Sequence, residues 1–235
     1  MPRPRVLQPE MMDQPGLDLR RHIHALDALG RANAVSRTAA PIWPSILAVS
    51  QETTKRPLRV LDIGCGGGHV LLSLARRAVQ ERMDVEWAGW DMSPVAIEYA
   101  RTLALRRGVE GVRFELADAL RDPIPPGIDV VLCTLFLHHL TGADAAVLLS
   151  RMREAAGSAV VVSDLRRTML GTAFTRVGCL ILSRSEVFRV DGMRSVAAAF
   201  TTDEALDLAA AAGLTGARVH RVWPQRWLLT WRTPV

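Results

Sequence analysis

Lysine is nearly absent from this chain of 235 residues, in which Lys55 stands alone and arginine supplies almost all of the positive charge. The arginines are scattered along the sequence and form no long basic tract. Proteins that bind nucleic acids concentrate positive charge on one face or along one helix. The net charge of +5 therefore reflects the composition of the whole chain, and we expect no nucleic-acid partner.

Cysteine is also scarce, because the chain has only Cys65, Cys133 and Cys179. An odd number of cysteines at wide spacing suits neither a disulfide framework nor a zinc site. We therefore expect a reducing, cytoplasmic environment and no bound metal.

Long apolar runs are missing as well. Residues 1–16 are polar and rich in proline, and they lack the apolar stretch of a secretory signal peptide. Farther along, charged residues interrupt each apolar run well short of the roughly 18 residues that a membrane-spanning helix needs. We expect no membrane span, whereas peripheral membrane contact and homo-oligomerisation stay open.

The sequence pattern divides the chain into three regions. Residues 1–16 predict a mobile tail, and residues 17–56 predict a helical cap in which Pro41 and Pro44 start or kink a second helix. From residue 57 to 235, short apolar strands alternate with helices, which is typical of a doubly wound α/β domain with a mostly parallel sheet. The first five expected strands are residues 58–63, 85–90, 112–116, 128–132 and 159–163.

The last part of the chain departs from this alternation. Residues 217–222 and 226–231 predict two more strands, joined by a short turn, that form an antiparallel pair at one edge of a seven-stranded sheet. Residues 166–200 fit no strand–helix unit of normal length. Because insertions of this size after a sheet strand often cover a ligand, we expect a lid there.

The segment LDIGCGGGHV, residues 61–70, places a run of glycines directly after the first strand. Such loops usually bind phosphate, yet the dinucleotide fingerprint needs a small residue where this chain has His69. No Gly-Lys-Ser/Thr follows the loop, which excludes a P-loop. Asp62 precedes the turn and would repel an anion, so the sequence predicts a ligand whose reactive end is positive.

Four motifs, in order along the chain, resemble those of class I S-adenosylmethionine-dependent methyltransferases. VLDIGCGGGHV is similar to the D-x-G-x-G-x-G motif, WAGWDMSPVAIEYAR to the second motif, ELADAL to the third and IDVVLCTLFLHHL to the fourth. The resemblance implies a Rossmann-like methyltransferase fold with S-adenosylmethionine as cofactor. The residues that it implies for cofactor binding are Asp62, Gly64, Cys65, Gly66, Gly68, Asp91, Met92, Asp118, Ala119 and Cys133.

The chemistry of this cofactor agrees with the residues of the motifs. S-adenosylmethionine has no phosphate and carries a sulfonium and an α-ammonium, so Asp62 can favour its cationic end. Glycines let the backbone approach a ligand closely. Asp91 can accept both ribose hydroxyls in charge-assisted hydrogen bonds, and Asp118 can accept from the adenine amino group.

His138 and His139 follow the fourth strand, where the resemblance places the methyl donor. A phenol has a pKa of about 10 and histidine titrates near about 6.5, so an imidazole is a suitable general base near neutral pH. His138 is favoured because it lies nearer the strand end, while the alternative is that these histidines only order the loop or cap the next helix. The run Cys133-Thr134-Leu135-Phe136 stands where amide-nitrogen methyltransferases often carry N/D-P-P-Y/F, which leaves oxygen, carbon and amine acceptors open.

Candidate acceptor-binding residues come from three places. Asp164, Arg166 and Arg167 follow the fifth strand and can orient a hydroxyl or carboxylate, although a solvated charge cluster explains them equally well. Phe174 belongs to an amphipathic stretch of the insertion and Trp43 to the helical cap, and together these segments predict a roof over an apolar pocket. The other apolar residues on that side of the insertion are Met169, Val177, Leu180 and Ile181.

The pattern SDLRR, a long insertion and VDGMRSVAAAFTTDEALDLAAAAGL is also similar to bacterial small-molecule methyltransferases found with type III polyketide synthases and, more distantly, to quinone-pathway methyltransferases. This resemblance implies O-methylation of a lipophilic phenol of polyketide or alkylphenol type in secondary metabolism. The alternatives are a C-methyltransferase acting on an activated aromatic or quinol ring, an RNA or protein methyltransferase, and a non-catalytic binding module.

Overall fold

The computed structural model describes residues 4–14, 16–53 and 57–234. Within these ranges the chain forms seven strands and eight α-helices around a mixed sheet. The strands are β1 Leu58–Ile63, β2 Val85–Asp91, β3 Val112–Leu116, β4 Ile128–Thr134, β5 Ala156–Leu165, β6 Arg218–Val222 and β7 Arg226–Arg232. The helices are α1 Leu19–Val35, α2 Trp43–Glu52, α3 His69–Gln80, α4 Pro94–Arg107, α5 Gly142–Ala155, α6 Met169–Leu182, α7 Glu186–Ala198 and α8 Thr202–Ala211.

The strand order β3-β2-β1-β4-β5-β7-β6 confirms the predicted doubly wound, Rossmann-like methyltransferase fold. Strands β1 to β5 pair in parallel, whereas β7 is antiparallel to both β5 and β6. The order reverses between β1 and β4, and ligands of such sheets bind in the crevice outside the strand ends at that reversal. The glycine-rich loop that follows β1 therefore begins at this crevice.

Helices cover both faces of the sheet. Apolar residues of α2, α3 and α4 pack in one core layer, and those of α5 and α8 pack in the other. Every residue of β4 is buried, as expected for a central parallel strand with helices on both faces. Helix α4 begins as predicted, with the Ser93 hydroxyl accepting from the Ala96 amide and Pro94 in the first turn.

The insertion folds into α6 and α7, which pack against each other and against α1. These three helices lie beyond the two sheet-covering layers and supply side chains to the cavity described below. Among the helices of the described ranges, none combines the length and the apolar character needed to cross a bilayer.

Residues 4–14 of the segment expected to be a tail make specific contacts with α7, whereas residues 1–3 and 15 lie outside the described ranges. The Val6 amide donates to the Ala197 carbonyl, and the amides of Met11 and Met12 donate to the carboxylate of Asp191. The segment is therefore held against α7. Its polar, proline-rich composition resembles that of a solvated tail because its partners lie far away along the chain.

Candidate active site

A cavity of about 1010 Å³ opens at the carboxyl ends of β1, β2 and β4. Its apolar walls come from α1, α6 and α7, whereas polar groups enter from the strand ends and from residues 10–14. Pockets that bind small molecules have this character, with mostly apolar walls and a few placed polar groups. The strand ends and the helices of the insertion thus share one cavity.

The glycine-rich loop forms one side of this cavity. Gly64 and Gly66 line it and have φ values of 69° and 51°, in the left-handed region that favours glycine. A Cβ atom on Gly64 would lie 2.4 Å from the Phe136 ring, whereas a Cβ on Gly66 would meet no atom of the described residues within 4 Å. The backbone at Gly66 is therefore open to close approach by a ligand.

Asp91 lies at the end of β2 and faces this loop. Its Oδ2 accepts from the Gly66 amide at 2.8 Å, and its Oδ1 accepts from the Ser93 amide at 2.8 Å. Burial raises the pKa of this carboxyl, although the two amides oppose that effect. Since each carboxylate oxygen has a second lone pair, the oriented group can still accept two ribose hydroxyls.

Asp62 lies fully buried in β1, two residues before Gly64. Its Oδ1 has no hydrogen-bond partner among the described residues. Burial and the neighbouring Asp91 raise the pKa of Asp62 to about 7. A buried acceptor without a donor, beside a loop that leaves room for a ligand, suits the ammonium group of S-adenosylmethionine, so the residues present fit this cofactor.

The remaining residues expected at the cofactor divide into two groups. Met92, Asp118 and Ala119 line the cavity, and Asp118 Oδ1 also accepts from the Leu120 amide at 2.9 Å. Like Asp62, the residues Cys65, Gly68 and Cys133 do not line it. Cys133 is fully buried in the sheet core, a Cβ on Gly68 would meet the Phe114 ring, and the Cys65 sulfur lies beside Gly89.

His138 lies in a short 3₁₀ turn after β4 and is almost completely buried. Its Nδ1 is 2.6 Å from Asp164 Oδ1, and its Nε2 is 3.7 Å from Glu10 Oε1. Burial lowers the pKa of His138, but the two carboxylates outweigh burial and raise that pKa to about 10. The expectation of an imidazole that titrates near its ordinary pKa is therefore corrected.

His139 also lines the cavity and stacks on Phe136, with ring centroids 5.8 Å apart. Its Nδ1 is 3.1 Å from Asp13 Oδ2, and its Nε2 is 3.8 Å from Glu10 Oε1. Sequence reasoning missed Glu10 and Asp13, because they belong to the segment expected to be mobile. No local pattern marks them, since 126 residues separate Asp13 from His139.

Among the residues expected at the acceptor, only Phe174 lines the cavity. Asp164 supports His138 instead, and Arg166 donates to the Gln225 side chain. Arg167 is buried against Glu204 and the Ala199 carbonyl, so these neighbouring arginines form structural contacts.

Two further corrections concern the predicted apolar roof. Trp43 is 1% exposed in the core layer of α2 and does not reach the cavity. On α6, the residues predicted beside Phe174 face outward and are more than half exposed, namely Met169, Val177, Leu180 and Ile181. The inner face of α6 instead presents Gly178 and Cys179 to the cavity.

A family model described as a methyltransferase domain matches residues 54–187, more than half of the chain. The chain belongs to this methyltransferase family. S-adenosylmethionine is the cofactor of this methyltransferase.

Curated relatives of this methyltransferase act on different atoms. It is 34% identical over 121 residues to a ubiquinone biosynthesis O-methyltransferase from Alkalilimnicola ehrlichii, covering 51% of this chain and 47% of that protein. It is 30% identical over 118 residues to ajmaline N-methyltransferase from Rauvolfia serpentina, covering 49% and 39%. The match thus spans half or less of each relative.

Solved structures of low identity share the fold. The plantazolicin methyltransferase BamL, crystallised with a triazolic desmethylPZN analogue and S-adenosylhomocysteine, superposes with a TM-score of 0.64 at 16% identity. The superposition covers 91% of this methyltransferase and 96% of BamL. At this identity the likeness supports the fold and leaves the acceptor to the geometry of the cavity.

Proposed function

We propose that this methyltransferase transfers a methyl group to an oxygen of a hydrophobic phenolic or hydroxylated small molecule. The proposal rests on side-chain contacts that run from Asp164 through His138 to Glu10 and end in the wall of the apolar cavity. The same cavity contains Gly66 and Asp91 of the cofactor loop. An acid–base group, an apolar acceptor pocket and the cofactor loop therefore share one space.

The size and lining of the cavity favour a lipophilic acceptor. Its volume of about 1010 Å³ stands at the upper end of the roughly 300–1,000 Å³ of ligand pockets. Large apolar side chains line the part away from the cofactor loop, namely Leu26, Leu29, Phe174, Leu182 and Phe188. An alkylated aromatic ring would bury its apolar surface there while its hydroxyl approaches His138.

In this proposal S-adenosylmethionine supplies the electrophilic methyl group, and the chain's own residues prepare the acceptor. Asp164 fixes the His138 ring, because it accepts from both the backbone amide and Nδ1. The raised pKa keeps His138 protonated near neutral pH, so the Glu10 carboxylate beside it receives the hydroxyl proton as the acceptor oxygen attacks. Arg5 donates to the His138 and Leu140 carbonyls and so ties the N-terminal segment over this part of the site.

We also propose that the acceptor is of polyketide, alkylphenol or quinol type and that the enzyme works in the cytoplasm. The ubiquinone biosynthesis O-methyltransferase among its relatives supports an oxygen acceptor on an aromatic ring. The ajmaline N-methyltransferase among the relatives does not favour oxygen, since it is named for nitrogen methylation. For this reason the choice of oxygen rests on the acid–base groups around His138.

The proposal is tested by incubating the enzyme with donor labelled in the methyl group and a panel of alkylphenols, alkylresorcinols, quinols and matched amines. We expect O-methylated products from the phenolic compounds, identified by mass spectrometry and NMR. Ring-methylated products would replace the proposal by C-methylation. Labelling of RNA, with an affinity that falls steeply as salt rises, would place the enzyme in another class.

A further inference from the structure

Three potential metal ligands converge beside the cavity. The rings of His138 and His139 lie with centroids 4.4 Å apart. Glu10 Oε1 is 3.7 Å from Nε2 of His138 and 3.8 Å from Nε2 of His139. One ligand atom from each residue lies within 4.8 Å of the other two, and Glu10 and His138 are buried. Two imidazoles and a carboxylate thus point at one small volume.

The orientation of each ring is set by a carboxylate on its other side. His138 Nδ1 is 2.6 Å from Asp164 Oδ1, and His139 Nδ1 is 3.1 Å from Asp13 Oδ2. Because an ionised carboxylate only accepts, both Nδ1 atoms are donors, and the Nε2 atoms of both rings face Glu10. Metal-binding histidines nearly always have such an outer carboxylate or carbonyl partner, which fixes the tautomer and the ring orientation.

A metal ion bound here would take the place of the proton that His138 carries toward Glu10, because metal ligands must be deprotonated. We propose that Glu10, His138 and His139 bind a divalent transition-metal ion with the ligand set of a catalytic zinc site. Two histidines and one glutamate form such a set, with a remaining position for water or substrate. Imidazole nitrogen favours zinc and its neighbours over magnesium and calcium, which prefer oxygen ligands.

The surroundings of the three ligands are consistent with this ion. The Ser195 hydroxyl donates to Glu10 Oε1 and so holds the carboxylate toward the histidines. Bonds of about 2.0–2.1 Å at a tetrahedral angle would place ligand atoms about 3.3 Å apart. The two separations from Glu10, 3.7 and 3.8 Å, therefore need a small closure, and the two histidine ligand atoms lie within 4.8 Å of each other. All three residues line the cavity, so the open position faces the acceptor.

The role of the ion rests on the proposed function, whereas its binding does not. Coordination of the acceptor hydroxyl would lower the pKa of that hydroxyl, as zinc lowers the pKa of bound water. The proton then leaves to solvent and the oxygen attacks the methyl carbon. A carbon–oxygen bond forms while the carbon–sulfur bond breaks, and its electron pair stays on sulfur. With the ion bound, this task passes from the Glu10–His138 pair to the metal.

Cobalt is a direct probe of the site, because Co²⁺ substitutes for Zn²⁺ and absorbs visible light. The full chain is stripped with a chelator, dialysed, and titrated with Co²⁺ while the absorption spectrum and the metal content are measured. We expect one Co²⁺ per chain, a visible band, and displacement of Co²⁺ by Zn²⁺. Absence of a saturating band with a stoichiometry near one would overturn the proposal.

Variants separate this site from adventitious binding. We expect Glu10→Gln and His139→Ala to lower Co²⁺ affinity at least a hundredfold, and Asp13→Asn, which alters only the outer carboxylate, to lower it about 10- to 100-fold. His220→Ala, on the exposed side of β6, is the matched control and should bind Co²⁺ as the parent does. Binding of S-adenosylmethionine by each variant shows that it is folded. Equal Co²⁺ affinity in all variants would contradict the assignment.

The two proposals fail in different ways. Stoichiometric Co²⁺ binding without methyl transfer to any phenol supports the metal site and contradicts the proposed function. Methyl transfer by a protein that binds no Co²⁺ supports the proposed function and overturns the metal site. Full activity in the chelated enzyme, together with tight Co²⁺ binding, would leave the site in place and overturn its catalytic role.

Discussion

Nδ1 of His138 lies 2.6 Å from Oδ1 of Asp164, and Oδ2 of the same carboxylate accepts from the His138 backbone amide at 2.9 Å. These contacts fix both the position and the ring orientation of His138. Asp164 lies near the carboxyl end of β5 and is fully buried. In the proposed mechanism Asp164 is therefore a positioning residue that acts through His138.

Substitution of His138 or Asp164 tests the contribution of this pair to turnover. Replacing His138 with Gln should lower turnover by about 10²- to 10⁴-fold, the range for loss of an acid–base group. Asp164→Asn should lower turnover in the same range, because the amide cannot hold the ring in the same way. Steady-state kinetics and calorimetric donor binding measure the two effects separately. His220→Gln, an exposed control on β6, should keep full turnover. Unchanged turnover in His138→Gln would contradict an acid–base role for His138.

Asp91→Asn should weaken binding of S-adenosylmethionine roughly a hundredfold, which corresponds to about 2.8 kcal/mol. The two carboxylate oxygens of Asp91 accept from the backbone amides of Gly66 and Ser93, and both are available to the ribose hydroxyls. In Asp91→Asn an NH₂ group replaces one of these oxygens and cannot accept. Isothermal titration calorimetry provides the comparison. Asp207→Asn, on the exposed side of α8, should bind the donor as the parent does. Equal affinities in both variants would remove Asp91 from the cofactor site.

Donor affinity should rise with pH around the pKa of Asp62, about 7. Below that pH the buried carboxyl is protonated and neutral, and above it the carboxylate attracts the cationic end of S-adenosylmethionine. Asp91 faces Asp62, while the nearby thiols of Cys65 and Cys133 have raised pKa values and stay neutral in this range.

Calorimetry between pH 6 and 8 tests this dependence. In Asp62→Asn the component due to the protein should disappear, and only the titration of the donor's own amino group should remain. If the parent and Asp62→Asn share the same pH profile, Asp62 does not interact with the cation.

Gly64→Ala should destabilise the fold by about 1–3 kcal/mol, because φ is 69° and the new Cβ would lie 2.4 Å from the Phe136 ring. Thermal unfolding should register this as a lower Tm. Gly142→Ala, where nothing lies within 4 Å of the new Cβ, is the matched control and should leave Tm within a few degrees. A Gly64→Ala protein as stable as the control would mean that the loop tolerates a side chain.

The apolar walls predict a dependence on acceptor chain length. Each additional methylene that enters the cavity should stabilise binding by about 0.8 kcal/mol, or lower KM about fourfold, until the cavity is filled. KM for a series of alkylresorcinols, measured below their aggregation limit, gives this slope. A KM independent of chain length would show that the acceptor does not occupy the apolar part of the cavity.

Much of the fold, and the meeting of several strand-end residues at one cavity, could be predicted from sequence. Parallel sheets bring the carboxyl ends of their strands to one edge, so the residues that follow β1, β2 and β4 were expected to lie together. Gly66, Asp91 and His138 do line one cavity. The antiparallel pair of strands at the sheet edge was predictable for another reason: the turn-like segment Trp223-Pro224-Gln225 separates two strand-like runs.

Other features depend on contacts that no local pattern contains. β4 is buried along its whole length, so its sequence has no alternation to show that Cys133 faces the core. The apolar pattern of the cap predicts that Trp43 is covered, but not that the sheet covers it. Glu10 reaches His138 only because Arg5, Val6 and Met11 are bound by distant residues.

Transfer of a ¹³C-labelled methyl group from S-adenosylmethionine to an alkylresorcinol, followed by NMR of the product, identifies the atom that the enzyme methylates. We predict a product with the label on the phenolic oxygen, formed in equal amount with S-adenosylhomocysteine and lost in His138→Gln. A label on a ring carbon or on nitrogen, or no transfer to any phenol by an enzyme that binds the donor, would contradict O-methylation of a phenolic acceptor.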